Sequence, residues 1–268
     1  MGPVIAYLLT VIALPALGVA AVAAALLRTT WGRSERFASS AAGAAVAISV
    51  LWAFLAELDT YALLRQFPIT LPDDDAPFER WHRVGLAALA LSALAPAFAW
   101  GSTPRGADAR HPSLAREAAV AAGVAAVIAG FTMAFPGAGW KDASIAALPS
   151  AAIGWLLSRR SAAFGLGASA AWAASIAALA GATGFPSLAA IAAAMALACA
   201  ALACVLRPAR TAAPTPGFTV AAMAGILLAC GRAYADESVP AWAWWVTLAV
   251  PAGACIAAAA VGKRKAAR

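Results

Sequence analysis

Polar chemistry has few places to reside in this chain. Six of the twelve acidic residues, Glu57, Asp59, Asp73, Asp74, Asp75 and Glu79, fall between positions 57 and 83, together with His82 and the only glutamine, Gln66. An imidazole near a carboxylate is material for general acid–base catalysis, which makes His82 with Glu57 or Asp59 the one enzymatic combination on offer. A metal fits less well, because a single histidine beside three aspartates has none of the spacings that hold a cation. A solvated acidic loop accounts for the same residues, so no metal, no cofactor and no catalytic residue is expected. The Phe67-Pro68 and Leu71-Pro72 steps read as extended chain, with Asp73 to Asp75 capping a short helix that leads into the next apolar stretch.

A second constellation follows near the C-terminus. Arg232 and Asp236 are four residues apart and share a helix face, with Glu237 adjacent. Glu57 and Asp59 are alternative partners for the arginine. A site for an anion or a lipid headgroup is the functional reading; an interfacial arginine held by carboxylates is the plainer one and the one preferred here. Candidate ligand-binding residues are therefore Glu57, Asp59, His82, Arg232, Asp236 and Glu237.

The elements that must carry these residues are apolar helices. The 268 residues are 63% hydrophobic, 12% charged and have a mean hydropathy of +0.82, well outside the range of soluble domains. Uncharged runs near the ~20 residues of a membrane span recur throughout. Nine are expected: Pro3–Leu27, Phe37–Ala56, Trp81–Trp100, Ala118–Gly139, a short one between the Lys141-Asp142 turn and Arg159, Ala162–Ala180, Pro186–Leu206, Phe218–Tyr234 and Ala241–Val261. The reading is an all-α polytopic bundle, one transmembrane domain over 1–268, with an acidic, proline-rich extracytoplasmic segment at 57–83. No basic region precedes the first run, so no cleaved signal peptide is expected.

Nine alternating spans divide the charges unevenly. One side receives 14 of the 19 basic residues but only Glu35, Asp108 and Glu117 among the acids, and the other receives the remaining nine acids. By the positive-inside rule the arginine-rich side is cytoplasmic, which puts the N-terminus outside and the C-terminus inside a bacterial cytoplasmic membrane. The net charge of +7 thus reports topology, and nucleic acid is not an expected partner; the lipid bilayer and other membrane subunits are.

The middles of the spans contain no Asp, Glu, Lys, Arg or His, and the chain has no Asn. Ion-coupled transport and intramembrane proton transfer need such groups at depth. Cys199, Cys204, Cys230 and Cys255 read as small buried hydrophobes, and Trp81, Trp100, Trp140, Trp242, Trp244 and Trp245 as interfacial anchors. Abundant alanine favours close helix packing. The segments QFPITLPDDDAPFERWHRVGLAALAL and GILLACGRAYADESVPAWAW give the chain a resemblance to uncharacterised polytopic membrane proteins of high-GC bacteria, which implies no activity. A non-enzymatic scaffold or accessory subunit is the expected role. The alternatives are a transporter or channel for a small or lipid-like solute, with the 57–83 segment at its outer mouth, and an outer-face enzyme.

The topology is open to direct measurement. Reporter fusions after Arg36, Arg116, Arg160, Arg210 and Arg268 are expected on the cytoplasmic side, and fusions near Asp74 and Asp142 outside. Two consecutive fusions on the same side would remove a span.

Overall fold

The computed structural model describes residues 3–27, 35–64, 83–100, 114–135, 137–206, 216–234 and 239–266, with backbone only at 3, 35–36, 59–64, 100 and 261–266. All of its regular structure is helical. The first helical rod joins α1 (Pro3–Tyr7) and α2 (Leu14–Leu27) through a π-helical stretch, Leu8–Ala13. Then follow α3 (Glu35–Leu64), α4 (Arg83–Trp100), α5 (Leu114–Thr132), α6 (Trp140–Ser158), α7 (Ala162–Ala182), α8 (Pro186–Leu206) and α9 (Gly217–Tyr234). A last rod is broken into α10 (Ala241–Val246) and α11 (Ala249–Ala266).

Seven stretches among the described residues are long and apolar enough to cross a membrane: 4–27, 37–58, 114–132, 162–182, 186–206, 217–234 and 241–260. Two further helices accompany them, a shorter apolar one over Arg83–Ala99 and α6 with its Lys141, Asp142 and Pro149. Large apolar side chains such as Leu86, Leu89, Leu114, Leu148 and Ile256 lie exposed on the flanks. The helices are compatible with a multi-pass membrane protein, whose apolar exterior meets lipid instead of water.

Proline explains the irregular places. Pro15 has no N–H for the carbonyl of Val11 and its ring crowds that turn; the chain inserts one residue just before it, so the Leu14 N–H reaches back to the Leu9 carbonyl. Pro251 lacks the N–H that would bond to Thr247, and the last rod breaks there, between α10 and α11. The tight link between α7 and α8 ends on Gly184 at φ 73°, which closes α7 by a bond from the Phe185 N–H to the Ala180 carbonyl.

Several boundaries differ from the expectation: α6 begins at Trp140, so Lys141 and Asp142 are helical and not a turn, and the last rod runs to Ala266, past Val261. The second span does not end at Ala56: Leu58, Tyr61, Leu63 and Leu64 carry the helical pattern on, so Glu57 and Asp59 belong to α3, which runs to Leu64. The fourth starts at Leu114, placing Arg116 and Glu117 inside its first turn, and is helical only to Thr132 before Gly137 (φ 68°) turns the chain. Two side chains also differ: Cys204 is exposed, and Trp244, expected at an interface, is fully buried.

At the centre stands α9. Every residue from Gly217 to Gly231 is buried, and its sequence FTVAAMAGILLAC is apolar all round, the pattern of a helix with no solvent face. Its closest neighbour is α6. A Cβ added to Gly217 would lie 2.6 Å from both the Gly154 carbonyl oxygen and the Ser158 nitrogen, and one on Gly225 would lie 2.9 Å from the Ser150 hydroxyl. These two backbones touch because the side chains between them are missing. At the far end of α9, Gly231 leaves room for the Trp244 ring, which a Cβ there would meet at 2.1 Å.

This packing makes a sharp contrast between glycines. Gly217→Ala drives a methyl group into α6 backbone that cannot rotate away, and overpacking of this kind costs about 1–3 kcal/mol or more. Gly123→Ala on α5 meets nothing within 4 Å and gains up to about 1 kcal/mol of helix propensity. Thermal unfolding in detergent, followed by size-exclusion fluorescence, is expected to show a lower midpoint for Gly217→Ala and an equal or higher one for Gly123→Ala.

Candidate functional site

Polar side chains collect at the two ends of the bundle. At one end lie the C-terminal turns of α3, α5, α7 and α9 and the starts of α1, α4, α6, α8 and α10. Arg232 sits in the last turn of α9, half-buried, and lines a half-enclosed cavity of ≈ 170 Å³ with Thr132, Gly137, Ala138, Asp142, Ala229, Ala233 and Trp245. Its Nε is shielded and has no hydrogen-bond partner in the structure. Asp142 reaches the same cavity from the first turn of α6, where its Oδ2 accepts a hydrogen bond from the Gly139 N–H at 3.3 Å. That bond satisfies one of the N–H groups a helix start leaves open. Nearby Arg83, at the start of α4, donates to the carbonyl of Ala134 just beyond the end of α5.

Glu57 is at this end too, 7% exposed. It accepts hydrogen bonds from the Tyr7 hydroxyl at 2.6 Å and the Ser187 hydroxyl at 2.7 Å, so one carboxylate ties α1, α3 and α8 together. Short O–H···O⁻ bonds of this kind are stronger than neutral ones. These two hydroxyls, and not Arg232, are the partners of Glu57. Of the other expected site residues, Asp59 lies on α3 with its side chain outside the described residues, as do His82, Asp236, Glu237 and the Asp73–Asp75 run altogether. Among the described residues no group of three His, Cys, Asp or Glu side chains is placed to hold a metal ion.

The opposite, arginine-rich end carries an arrangement that the reading of Glu117 and Arg159 as loop charges missed. Glu117, in the first turn of α5, is 3% exposed; its Oε2 accepts from the Trp155 indole Nε1–H and from the Arg159 guanidinium, both at 2.6 Å. The guanidinium also lies 4.1 Å from the centre of the Trp155 ring, a cation–π contact. A signal was present: Trp155 and Arg159 stand four apart, one turn, with Arg159 capping the end of α6, and a glutamate in a helix's first turn is favourably placed. Next to this cluster the adjoining faces of α5 and α6 form an apolar groove of ≈ 460 Å³ lined by Leu114, Ala118, Ala121, Ala122, Ala125, Leu148, Ala151, Ala152 and Trp155. Arg160, at the same end, donates to the Cys255 carbonyl at 3.2 Å and fastens α11.

Among the described residues, the hydroxyls that meet a carboxylate are those of Tyr7 and Ser187, on the buried Glu57. What the described residues offer is electrostatic: a guanidinium and a carboxylate lining one small cavity, and a buried glutamate clamping an arginine at the rim of an apolar groove.

Glu117→Ala would remove the acceptor that the Trp155 N–H and the Arg159 guanidinium share. With the arginine partly in contact with water, the loss is expected at about 1–3 kcal/mol, below that of a fully buried pair. Glu117→Gln keeps an oxygen for the indole and is expected to fall between wild type and alanine. Unfolding midpoints of the three proteins in detergent check the order, and equal midpoints for wild type and alanine would show that the clamp carries no stability.

Compared with protein-family models, with curated proteins and with solved structures, the chain matches none, so its functional reading rests on its own geometry.

Proposed function

We propose that this chain is a non-enzymatic component of the bacterial cytoplasmic membrane, a scaffold or accessory subunit of a membrane complex, crossing nine times with its N-terminus outside. The observation that carries the proposal is α9. With residues 217–231 buried on all sides, the centre of the bundle is filled by side chains, as in a packed core. The arginine-rich end, with Arg159 and Arg160, is read as cytoplasmic. The α4 and α6 rods complete the nine crossings, sheltered by their contacts with α3, α5 and α9.

An outward face suits a subunit. The α5–α6 groove is lined mostly by alanine, which lets another helix approach closely. A second reading, a transporter or channel for a small or lipid-like solute, is favoured by one observation, the Arg232 cavity.

Native purification with mass spectrometry separates the two. A subunit is expected to co-purify with another membrane protein in fixed ratio, and Ala121→Phe with Ala152→Phe, which fill the groove, to reduce that recovery several-fold while leaving the unfolding midpoint within a few degrees. Reconstituted protein is expected to move no protons or sodium ions. A solute flux into proteoliposomes abolished by a single substitution would replace the scaffold reading with the transport one.

A further inference from the structure

Opposite charges that share a small cavity usually close on each other. Arg232 and Asp142 do not: they line the same ≈ 170 Å³ space from α9 and α6, and no ion pair joins them. The Nε of the guanidinium is shielded and without a partner, so a ligand in the cavity would meet its terminal nitrogens. Asp142 uses one oxygen, Oδ2, to close the start of α6, and its other oxygen has no partner among the described residues. A planar guanidinium fork accepts an anionic oxygen group in bidentate fashion, while a carboxylate across the cavity receives an ammonium. Trp245 supplies an aromatic wall, the surface a cation prefers.

The remaining walls limit the size. Gly137, Ala138, Ala229 and Ala233 contribute almost no side-chain bulk, and the space is close to the ~150 Å³ of a cavity that holds a benzene-sized molecule. The hydroxyl of Thr132 is already donated to the Ile128 carbonyl at 2.8 Å, so it selects little. The requirement is for a compact molecule carrying one negative and one positive group.

We propose that this cavity binds a small zwitterion, an anionic phosphate or carboxylate joined to an ammonium through a few bonds, with the anion on Arg232 and the ammonium on Asp142. The site goes beyond the scaffold reading and does not depend on it. Two sources offer this chemistry: the headgroup of an ethanolamine lipid in the adjoining leaflet, or a free solute of the amino-acid kind.

Titration calorimetry on the full-length protein in detergent, with phosphoethanolamine, glycine, inorganic phosphate and ethanolamine as probes, tests it together with native mass spectrometry from nanodiscs of phosphatidylethanolamine or phosphatidylglycerol. At least one zwitterionic probe, free or lipid, is expected to bind tenfold or more tightly than inorganic phosphate, ethanolamine or phosphatidylglycerol. Retention of phosphatidylethanolamine without binding of the free probes assigns the site to the lipid, and the reverse assigns it to a solute. Asp142→Asn, which keeps an oxygen for the Gly139 N–H, and Arg232→Gln are each expected to weaken binding at least tenfold with an unchanged unfolding midpoint. Should Arg232→Gln fail to fold, Arg232→Lys, which keeps the charge but loses the fork, is expected to weaken binding several-fold. Inorganic phosphate binding as tightly as any zwitterion and indifferent to Asp142→Asn would overturn the proposal, as would equal binding by wild type and variants, or no binding of any zwitterion.

Discussion

The bundle depends on backbone touching backbone where α6 meets α9. Within a membrane no water is expelled when two helices meet, so association relies on contact area and on polar groups finding partners. Gly217 against Gly154, and Gly225 against Ser150, bring the two axes close enough for the whole length of α9 to be covered. Once α9 is held there, α3, α4, α5, α7 and α8 can each reach it. Substituting small side chains for large ones is therefore what lets so many of the described helices pack on one central helix.

Such a centre has a price in chemistry. A helix with no polar face has nowhere to keep an ion-binding or proton-carrying group, so charges are pushed to its two ends, where they serve as fasteners. Glu57 gathers three helices at one end and Glu117 clamps α5 to α6 at the other. The two carboxylates are equivalent in principle: each is buried, each accepts short hydrogen bonds from two donors, and each lies near the end of an apolar stretch where the cost of its charge is lower. Arg232 breaks the pattern, since it lines a cavity with a carboxylate it does not engage.

Much of this architecture is written in the hydropathy of the chain. The helical segments and the gathering of charge at their ends follow from runs of alanine and leucine between arginines, which need no knowledge of tertiary contacts. Individual side chains are less legible. Glu57 reads as the start of a polar loop because a carboxylate after an apolar run marks an end, whereas Leu58, Tyr61 and Leu64 keep the helix going and two hydroxyls from distant helices satisfy the charge. The burial of Trp244 could not be read from its neighbours Trp242 and Trp245, because it depends on Gly231 leaving a hollow on another helix. The Arg232 cavity is likewise made by three chain segments at once, so no spacing along the sequence announces it.

The π-helical stretch ahead of Pro15 sets the rotational phase of everything before it. One inserted residue turns the preceding helix by roughly 100° about its own axis relative to an uninterrupted α-helix. Tyr7 lies on the far side of that insertion from the rest of the first rod, so the direction of its hydroxyl, and with it the bond to Glu57, is determined by a proline eight residues away. A proline that only interrupted the ladder would bend the rod; this one indexes it, bringing a particular side chain round to face α3.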